Sequence, residues 1–233
     1  MKRKICITLV IIGIMAGFYG CDSSDPASEN NGIRPIVCLG DSLTEGYGAS
    51  NPGSVDKTRS YPAFLGEKVT VSVVNAGISG DTAAGGLARL DKDVLAKDPQ
   101  LVIILLGAND FFQRRQADET KKDLQSIINK TKGGNRVYLA SFIGDSNWEK
   151  SYVNSFPGAI TQEITAYLGE YKRIYSELKA ENTDIGYIAN IWEGIGSNDM
   201  SDPIHPNAEG YRKMANTIFN EIKPFLLANG LVK

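Results

Sequence analysis

Short, continuous apolar runs alternate with longer amphipathic stretches from residue 33 to the end of the chain. Five of the runs have the length of β-strands and are bounded by turn residues. They cover residues 35–40, 71–77, 101–107, 136–142 and 185–191. Because these runs are apolar throughout and do not alternate with polar residues, we predict strands that are covered on both faces of a sheet.

Between the runs, apolar residues recur at intervals of three and four, which is the spacing of an amphipathic helix. The pattern is strongest over residues 164–178 and 211–222. We predict that Asn207 caps the last helix and that Pro224 ends it. Weaker patterns predict helices over residues 60–68, 84–96 and 118–131.

The alternation of strands and helices determines the predicted fold class. A strand, a helix and a parallel strand form a right-handed crossover, and repeated crossovers place helices over both faces of the sheet. We therefore predict an α/β protein, a three-layer α/β/α sandwich with a five-stranded parallel sheet. The sequence contains no internal repeat and no second domain, so residues 34–233 form one predicted domain.

The N-terminal segment differs in composition from this domain. Basic MKRK is followed by an apolar run of about 16 residues, and then by the polar stretch CDSSDPASENNG. This order is typical of a secretory signal peptide, and the apolar run is shorter than the roughly 20 residues that a membrane-spanning helix needs. We predict a signal peptide over residues 1–20 and a flexible tether over residues 21–33.

Cys21 directly follows Gly20 at the end of the predicted signal peptide. The segment resembles a bacterial lipoprotein signal, in which this cysteine is acylated and becomes the mature N-terminus. The resemblance implies a protein exported to the cell envelope and anchored in a membrane by lipid on Cys21, facing the periplasm or the outer surface. Because Phe18 and Tyr19 are bulkier than the residues usual in such signals, cleavage with simple export is the alternative.

Net charge limits the possible partners, and cysteine content limits the possible disulfides. The chain has 25 basic and 27 acidic residues, a net charge of -2, so there is no overall basic field to attract nucleic acid. Of the three cysteines, only Cys38 falls within the predicted domain, which excludes an internal disulfide there. We expect Cys38 to be an apolar strand residue and the domain to depend on an ordinary apolar core.

Polar and glycine-rich motifs follow the predicted strands. GDS follows the first strand, NAGISGDT the second, GAND the third, and DPIHPN lies beyond the fifth. Because ligands bind outside the carboxyl ends of parallel strands, we expect these motifs to converge. They supply a hydroxyl nucleophile, backbone N–H groups, a side-chain amide, a histidine and a carboxylate, which are the components of an acyl-transfer site. His205 is the only histidine, so a Ser/His mechanism has one possible base.

These four motifs, in this order, resemble the motif blocks of the SGNH hydrolases, also called GDSL esterases and lipases. The similarity runs from about residue 34 to residue 226 and is closest to the bacterial periplasmic thioesterase, arylesterase and lysophospholipase type. It implies the flavodoxin-like fold of that family, with Ser42 as nucleophile, His205 as general base and Asp202 as its partner. It also implies an oxyanion hole made by the backbone N–H groups of Ser42 and Gly80 and the Asn109 amide, with no cofactor and no metal.

Elementary chemistry agrees with these roles. A serine hydroxyl needs a base to take its proton, and a carboxylate on the other imidazole nitrogen fixes the tautomer of the base. Oriented N–H donors stabilise the charge that develops on the carbonyl oxygen. We expect Asp41, Asp81 and Asp110, in contrast, to be structural acceptors that hold the strand-end loops.

Aromatic residues near these motifs are candidates for the substrate pocket. We take Phe111 and Phe112, which follow Asn109, as candidates, and packing on a helix face is their alternative role. Trp148 lies in a long stretch, residues 144–158, that we predict to be irregular, and Trp192 follows the fifth strand. Large aromatic side chains of this kind commonly line small-molecule sites.

The leading hypothesis is a serine esterase or thioesterase that acts on short to medium acyl substrates through an acyl-enzyme on Ser42. A carbohydrate O-acetyl esterase is the alternative within the same chemistry. A flavin- or nucleotide-binding module is an alternative of another class, because the first loop of an open parallel sheet can also bind phosphate. A lipoprotein that kept the fold without catalysis is a third alternative. The flavin hypothesis leaves His205 and Asp202 without a role, and the complete catalytic set argues against the non-catalytic one.

Overall fold

The computed structural model describes residues 34–144, 147–154 and 157–233. The predicted signal peptide and tether, with Cys21, lie outside the described residues. Within the described ranges, no helix combines the length and the apolar character that crossing a bilayer requires.

A five-stranded parallel sheet forms the centre of the fold, which confirms the predicted fold class. Its strands are β1 (Ile36–Gly40), β2 (Val73–Gly77), β3 (Leu101–Leu105), β4 (Arg136–Ala140) and β5 (Gly186–Ile188). Their spatial order is β2-β1-β3-β4-β5. The chain therefore moves from β1 to one side and then crosses back to the other, and the loop after β1 lies at this reversal, where ligands bind in such sheets.

The strands β1 and β3 are buried along their whole length, as their continuous apolar sequences predict. The strand β2 lies at the edge of the sheet and is mostly half-buried. Cys38, in the middle of β1, is fully buried, and this burial raises the pKa of its thiol to about 12. The expectation that Cys38 is an apolar core residue is confirmed.

The described residues include eight helices: α1 (Ser42–Glu45), α2 (Tyr61–Gly66), α3 (Ala83–Asp93), α4 (Ala108–Phe112), α5 (Ala117–Thr131), α6 (Asn147–Asn154), α7 (Gly158–Glu181) and α8 (Ala208–Ala228). Helix α2 packs against α8, whereas α3 packs against α5 and α5 against α7. Asn207 caps α8 as predicted, because its side chain accepts hydrogen bonds from the N–H groups of Glu209 and Gly210.

The prediction that Pro224 ends the last helix is wrong, because α8 continues to Ala228. Leu226, beyond the proline, is fully buried, and its carbonyl accepts a hydrogen bond of 2.9 Å from the N–H of Leu231. Packing of these last residues against the domain outweighs the backbone hydrogen bond that a proline removes from a helix.

The prediction that residues 144–158 are irregular also needs correction. Helix α6 lies within this stretch and packs against α7. Glu149 of α6 forms an ion pair with Lys172 of α7. The contact with a neighbouring helix therefore stabilises a helix that the local sequence pattern did not reveal.

Candidate active site

Ser42 lies two residues beyond the end of β1, at the first position of the four-residue helix α1. Asp41 caps this helix by accepting a hydrogen bond of 3.0 Å from the Leu43 N–H. Gly40 makes the tight turn possible, because a Cβ atom there would lie 2.0 Å from the Thr44 hydroxyl oxygen and 2.7 Å from the Leu105 carbonyl oxygen. The GDS sequence thus ends a buried strand and begins a helix with the serine at its N-terminus.

His205 and Asp202 lie on a short loop before α8. The imidazole Nε2 of His205 is 3.0 Å from the Ser42 hydroxyl oxygen, and its Nδ1 is 2.8 Å from Oδ2 of Asp202. The other carboxylate oxygen of Asp202 accepts hydrogen bonds from the N–H groups of Ile204, at 2.9 Å, and His205, at 2.8 Å. The structure therefore brings the predicted nucleophile, base and acid together in one hydrogen-bonded chain.

Asp202 is held in its ionised form. Partial burial opposes ionisation, but hydrogen bonds from the Ile204 backbone N–H and from the side chain and backbone of His205 outweigh it and lower the pKa of Asp202. The carboxylate is therefore a fixed acceptor for the Nδ1–H of His205, and this contact turns Nε2 towards the Ser42 hydroxyl.

The three predicted oxyanion donors line the same cavity as His205. Among the described residues, no hydrogen-bond acceptor is found for the backbone N–H of Ser42 or of Gly80. Gly80 adopts a positive φ of 83°, a conformation that favours glycine, and a Cβ atom there would have nothing within 4 Å. The Asn109 amide donates one hydrogen bond of 2.9 Å to the Asp81 carbonyl, and its second N–H remains for a ligand.

The cavity beside Ser42 has a volume of about 160 Å³. Phe112 and Trp192, two of the candidate pocket residues, contribute to its lining. The side chain of Trp148 lies outside the described residues. The rest of the apolar lining comes from Leu43, Tyr47, Ala108, Phe142 and Ile204.

Phe111, the fourth candidate, does not line this cavity and needs correction. Its side chain is only 2% exposed and stacks on the Tyr167 ring at a centroid distance of 5.1 Å. It also contacts Tyr171 edge to face at 5.4 Å. Burial in this aromatic cluster makes Phe111 part of the core, and its neighbour Phe112 faces the site.

Tyr47 is a site residue that the sequence analysis did not identify. Its ring lies 4.5 Å from the His205 ring, centroid to centroid, and lines the cavity. The backbone carbonyls of Tyr47 and Ser42 both accept a hydrogen bond from the buried Tyr211 hydroxyl, at 2.8 and 3.3 Å. Gly48 has a positive φ of 80°, and a Cβ atom there would lie 3.2 Å from Cβ of His205. The only local hint in the sequence is that Tyr47 stands between Gly46 and Gly48.

Asp81 and Asp110 hold the strand-end loops, as predicted. Asp81 forms an ion pair with Arg89 at 2.7 Å. The buried Asp110 accepts a hydrogen bond of 2.8 Å from the N–H of Ala83 and pairs with Arg115 at 2.9 Å. The described part of the chain has no group of three or more histidine, cysteine or acidic side chains suited to a metal ion.

The fold and the hydrogen-bonded chain together define the class of the protein, a serine hydrolase built on a parallel α/β/α sandwich. The chain belongs to the GDSL-like lipase/acylhydrolase family, whose profile matches residues 38–213. This match confirms the family resemblance that the four sequence motifs indicated.

Known relatives extend over most of the chain. The esterase TesA of Pseudomonas aeruginosa is 26% identical over 216 residues, which cover 89% of this chain and 96% of the relative. An arylesterase of Vibrio mimicus is 31% identical, with coverage of 88% of this chain and 94% of the relative. The crystal structure of TesA matches with a TM-score of 0.67 and 27% identity, and the match covers 83% of this chain and all of that one.

The buried Asp41 carboxyl determines how the stability of the folded state should change with pH. The residue is 1% exposed, and no partner is found for its Oδ2 among the described residues. Burial, together with the charges of Asp81 and Asp110, outweighs the hydrogen bond from Leu43 and raises the pKa of Asp41 from 3.8 to about 7. Between these values the folded state binds the proton and the unfolded state has lost it, so stability falls as the pH rises.

We therefore expect Asp41→Asn to gain stability relative to the wild-type protein as the pH rises from 4 to 7, with no further gain above 8. Urea denaturation across this range measures the difference. Asp91→Asn, at a side chain that is 76% exposed, is the matched control and should follow the wild-type curve. An Asp41→Asn curve parallel to the wild-type curve at all pH values would refute a raised pKa at this position.

Proposed function

We propose that the protein is a serine esterase that cleaves carboxylic esters or thioesters of short to medium acyl groups. The observation that carries this proposal is the hydrogen-bonded chain from Ser42 through His205 to Asp202 beside an apolar cavity. Two relatives, an esterase and an arylesterase, support the same reaction class.

In the proposed mechanism, the Ser42 oxygen attacks the carbonyl carbon of the substrate while Nε2 of His205 takes the hydroxyl proton. The resulting imidazolium is stabilised by the Asp202 carboxylate and passes its proton to the departing alcohol or thiol. Water then attacks the acyl-enzyme, again losing a proton to His205. The bond between the Ser42 oxygen and the acyl carbon then breaks, the His205 imidazolium returns its proton to the Ser42 oxygen, and the carboxylic acid leaves.

Each addition step creates negative charge on the carbonyl oxygen. In our proposal the N–H groups of Ser42 and Gly80 and the Asn109 amide bind this oxygen. Because these donors are fixed before the substrate arrives, they stabilise the charge without reorganising, and loss of one donor in related chemistry typically costs about 10² to 10³ in rate.

The cavity favours an uncharged acyl group of limited size. No acidic or basic side chain other than His205 appears among its described lining residues. Its volume of about 160 Å³ is close to that of an engineered apolar cavity of about 150 Å³ that binds benzene. The space therefore suits about six heavy atoms, which favours short acyl chains over a bulky or charged acyl group.

Two of the three alternatives have less support. Membership of the GDSL-like lipase/acylhydrolase family argues against a flavin- or nucleotide-binding module. A carbohydrate O-acetyl esterase uses the same catalytic chemistry, so substrate preference alone separates it from the leading proposal. A non-catalytic binding protein would have no use for a serine within hydrogen-bond distance of the only histidine.

Two substitutions test the nucleophile and the base. We expect Ser42→Ala and His205→Ala each to abolish turnover of p-nitrophenyl butanoate, because they remove the attacking oxygen and the group that takes its proton. A fluorophosphonate should label the wild-type protein with one equivalent and Ser42→Ala with none. Full esterase activity in Ser42→Ala would overturn the assignment.

The size of the cavity predicts chain-length selectivity. Across p-nitrophenyl esters from acetate to decanoate, we expect kcat/KM to be highest at butanoate to hexanoate and about tenfold lower at decanoate. Phe112→Ala should raise the relative rate on octanoate, since it removes part of the cavity wall. Phe219→Ala, a half-buried phenylalanine on α8 that does not line the cavity, is the matched control. A preference for decanoate, or for acetylated xylan over every simple ester, would contradict this selectivity.

We also propose that the protein is an exported lipoprotein anchored through Cys21. The support is the sequence alone: a basic start, a short apolar run, and a cysteine where acylation occurs in such signals. Acyl chains on one residue contribute about 0.8 kcal/mol per buried CH₂, enough for stable anchoring when several chains are attached.

In a bacterial host fed an alkyne-labelled fatty acid, we expect the full chain to become labelled and to sediment with membranes. Cys21→Ser should lose the label and appear in the soluble fraction. Cys6→Ser, within the predicted signal peptide, should behave as the wild-type chain. Labelling of Cys21→Ser at the wild-type level would contradict the anchor.

A further inference from the structure

The segment Ser79–Asp81, which we call the Gly80 loop, is anchored to three separate elements. The side chain of Glu45 in α1 holds Ser79. Arg89 in α3 holds the Asp81 carboxylate at 2.7 Å, and the Asn109 amide holds the Asp81 carbonyl at 2.9 Å. The backbone N–H of Gly80 therefore lies between two fixed residues. Asn109 is itself a proposed oxyanion donor. Glu45, in contrast, takes no part in the proposed proton transfers.

Glu45 binds Ser79 with one carboxylate oxygen. This oxygen accepts hydrogen bonds of 2.8 Å from the Ser79 N–H and 2.6 Å from the Ser79 hydroxyl. The other oxygen is 3.3 Å from the Lys57 ammonium, and the Glu45 side chain is only 16% exposed. Partial burial raises its pKa, but the hydrogen bonds from Ser79 and the nearby Lys57 outweigh this and lower the pKa of Glu45. The side chain is thus an ionised acceptor for two donors of one residue.

Glu45 belongs to the same short helix as Ser42. This helix lies directly on the end of β2, because a Cβ atom on Gly77 would be 2.3 Å from the Glu45 nitrogen. The Asn75 amide also donates a hydrogen bond of 2.9 Å to the Thr44 carbonyl of this helix. Because the backbone of Glu45 is fixed in this way, its side chain holds the Gly80 loop in a set position relative to Ser42.

We propose that Glu45 is a positioning residue that aligns the Gly80 N–H with the oxygen bound at Ser42. The inference rests on the proposed function, since it assigns Gly80 to the oxyanion hole. Charge-assisted hydrogen bonds of this kind are stronger than neutral ones, and a donor must be held at hydrogen-bond distance from the developing oxyanion to act. Without Glu45, the Gly80 loop would keep only its anchors on Asp81.

The test compares Glu45→Ala with Glu45→Gln. For Glu45→Ala we expect kcat and kcat/KM on p-nitrophenyl butanoate to fall together by about tenfold, the pattern of an interaction made only in the transition state. Inhibition by phenylboronic acid, which forms a tetrahedral anion on serine, should weaken by the same factor. Glu45→Gln keeps an amide oxygen that accepts from Ser79, so it should recover most of the activity. Rates are expressed per site titrated with a fluorophosphonate, which removes any contribution from misfolded protein.

Glu67→Ala is the matched control, because it also removes a carboxylate from an ion pair, here with Arg212 at 3.0 Å on the surface. It should leave both rates and inhibition unchanged. Wild-type kcat per titrated site in Glu45→Ala, with wild-type inhibition by the boronic acid, would overturn the inference while the proposed function stands. A wild-type protein that the fluorophosphonate does not label at Ser42 would instead overturn the proposed function itself.

Discussion

The hydrogen bond of 3.0 Å between the Ser42 hydroxyl and Nε2 of His205 joins two residues that are 163 positions apart. It requires β1 to present Ser42 and the loop before α8 to present His205 at the same edge of the sheet. Because Gly40 has no Cβ atom, the chain there passes close to Thr44, and for the same reason Gly48 passes close to His205. These two close approaches help to bring Ser42 and His205 together. The buried Tyr211 stabilises the position of Ser42, since its hydroxyl donates to the carbonyls of Ser42 and Tyr47.

The same edge of the sheet explains why the Ser42 hydroxyl and the proposed N–H donors meet in a small cavity. The parallel strands β1, β2 and β3 end beside one another, so the segments that follow them supply Ser42, Gly80 and Asn109 without long connections. Side chains of α1 and α4 then bind the segment after β2, since Glu45 binds Ser79 and Asn109 binds the Asp81 carbonyl. The site is therefore held together by hydrogen bonds between the segments that follow neighbouring strands.

The sequence predicted those features that depend on local pattern. Continuous apolar runs identified the buried strands, and the polar motifs after them identified the residues that converge. It did not identify Tyr47 or Glu45 as site residues, because their partners His205 and Ser79 are distant in sequence and only the folded chain brings them together. The sequence also could not show that Phe112 lines the cavity whereas Phe111 is buried in the core. The two residues are adjacent and differ only in the direction in which their side chains point from α4.

A crystal structure of the protein after reaction with a p-nitrophenyl alkylphosphonate would show which side chain attacks and which groups bind the oxyanion. We expect a covalent bond from phosphorus to the Ser42 oxygen. We also expect one phosphonyl oxygen within about 3 Å of the N–H donors of Ser42, Gly80 and Asn109. Phosphorus bonded to any other residue, or a phosphonyl oxygen turned away from Gly80 and Asn109, would contradict the proposed catalytic roles.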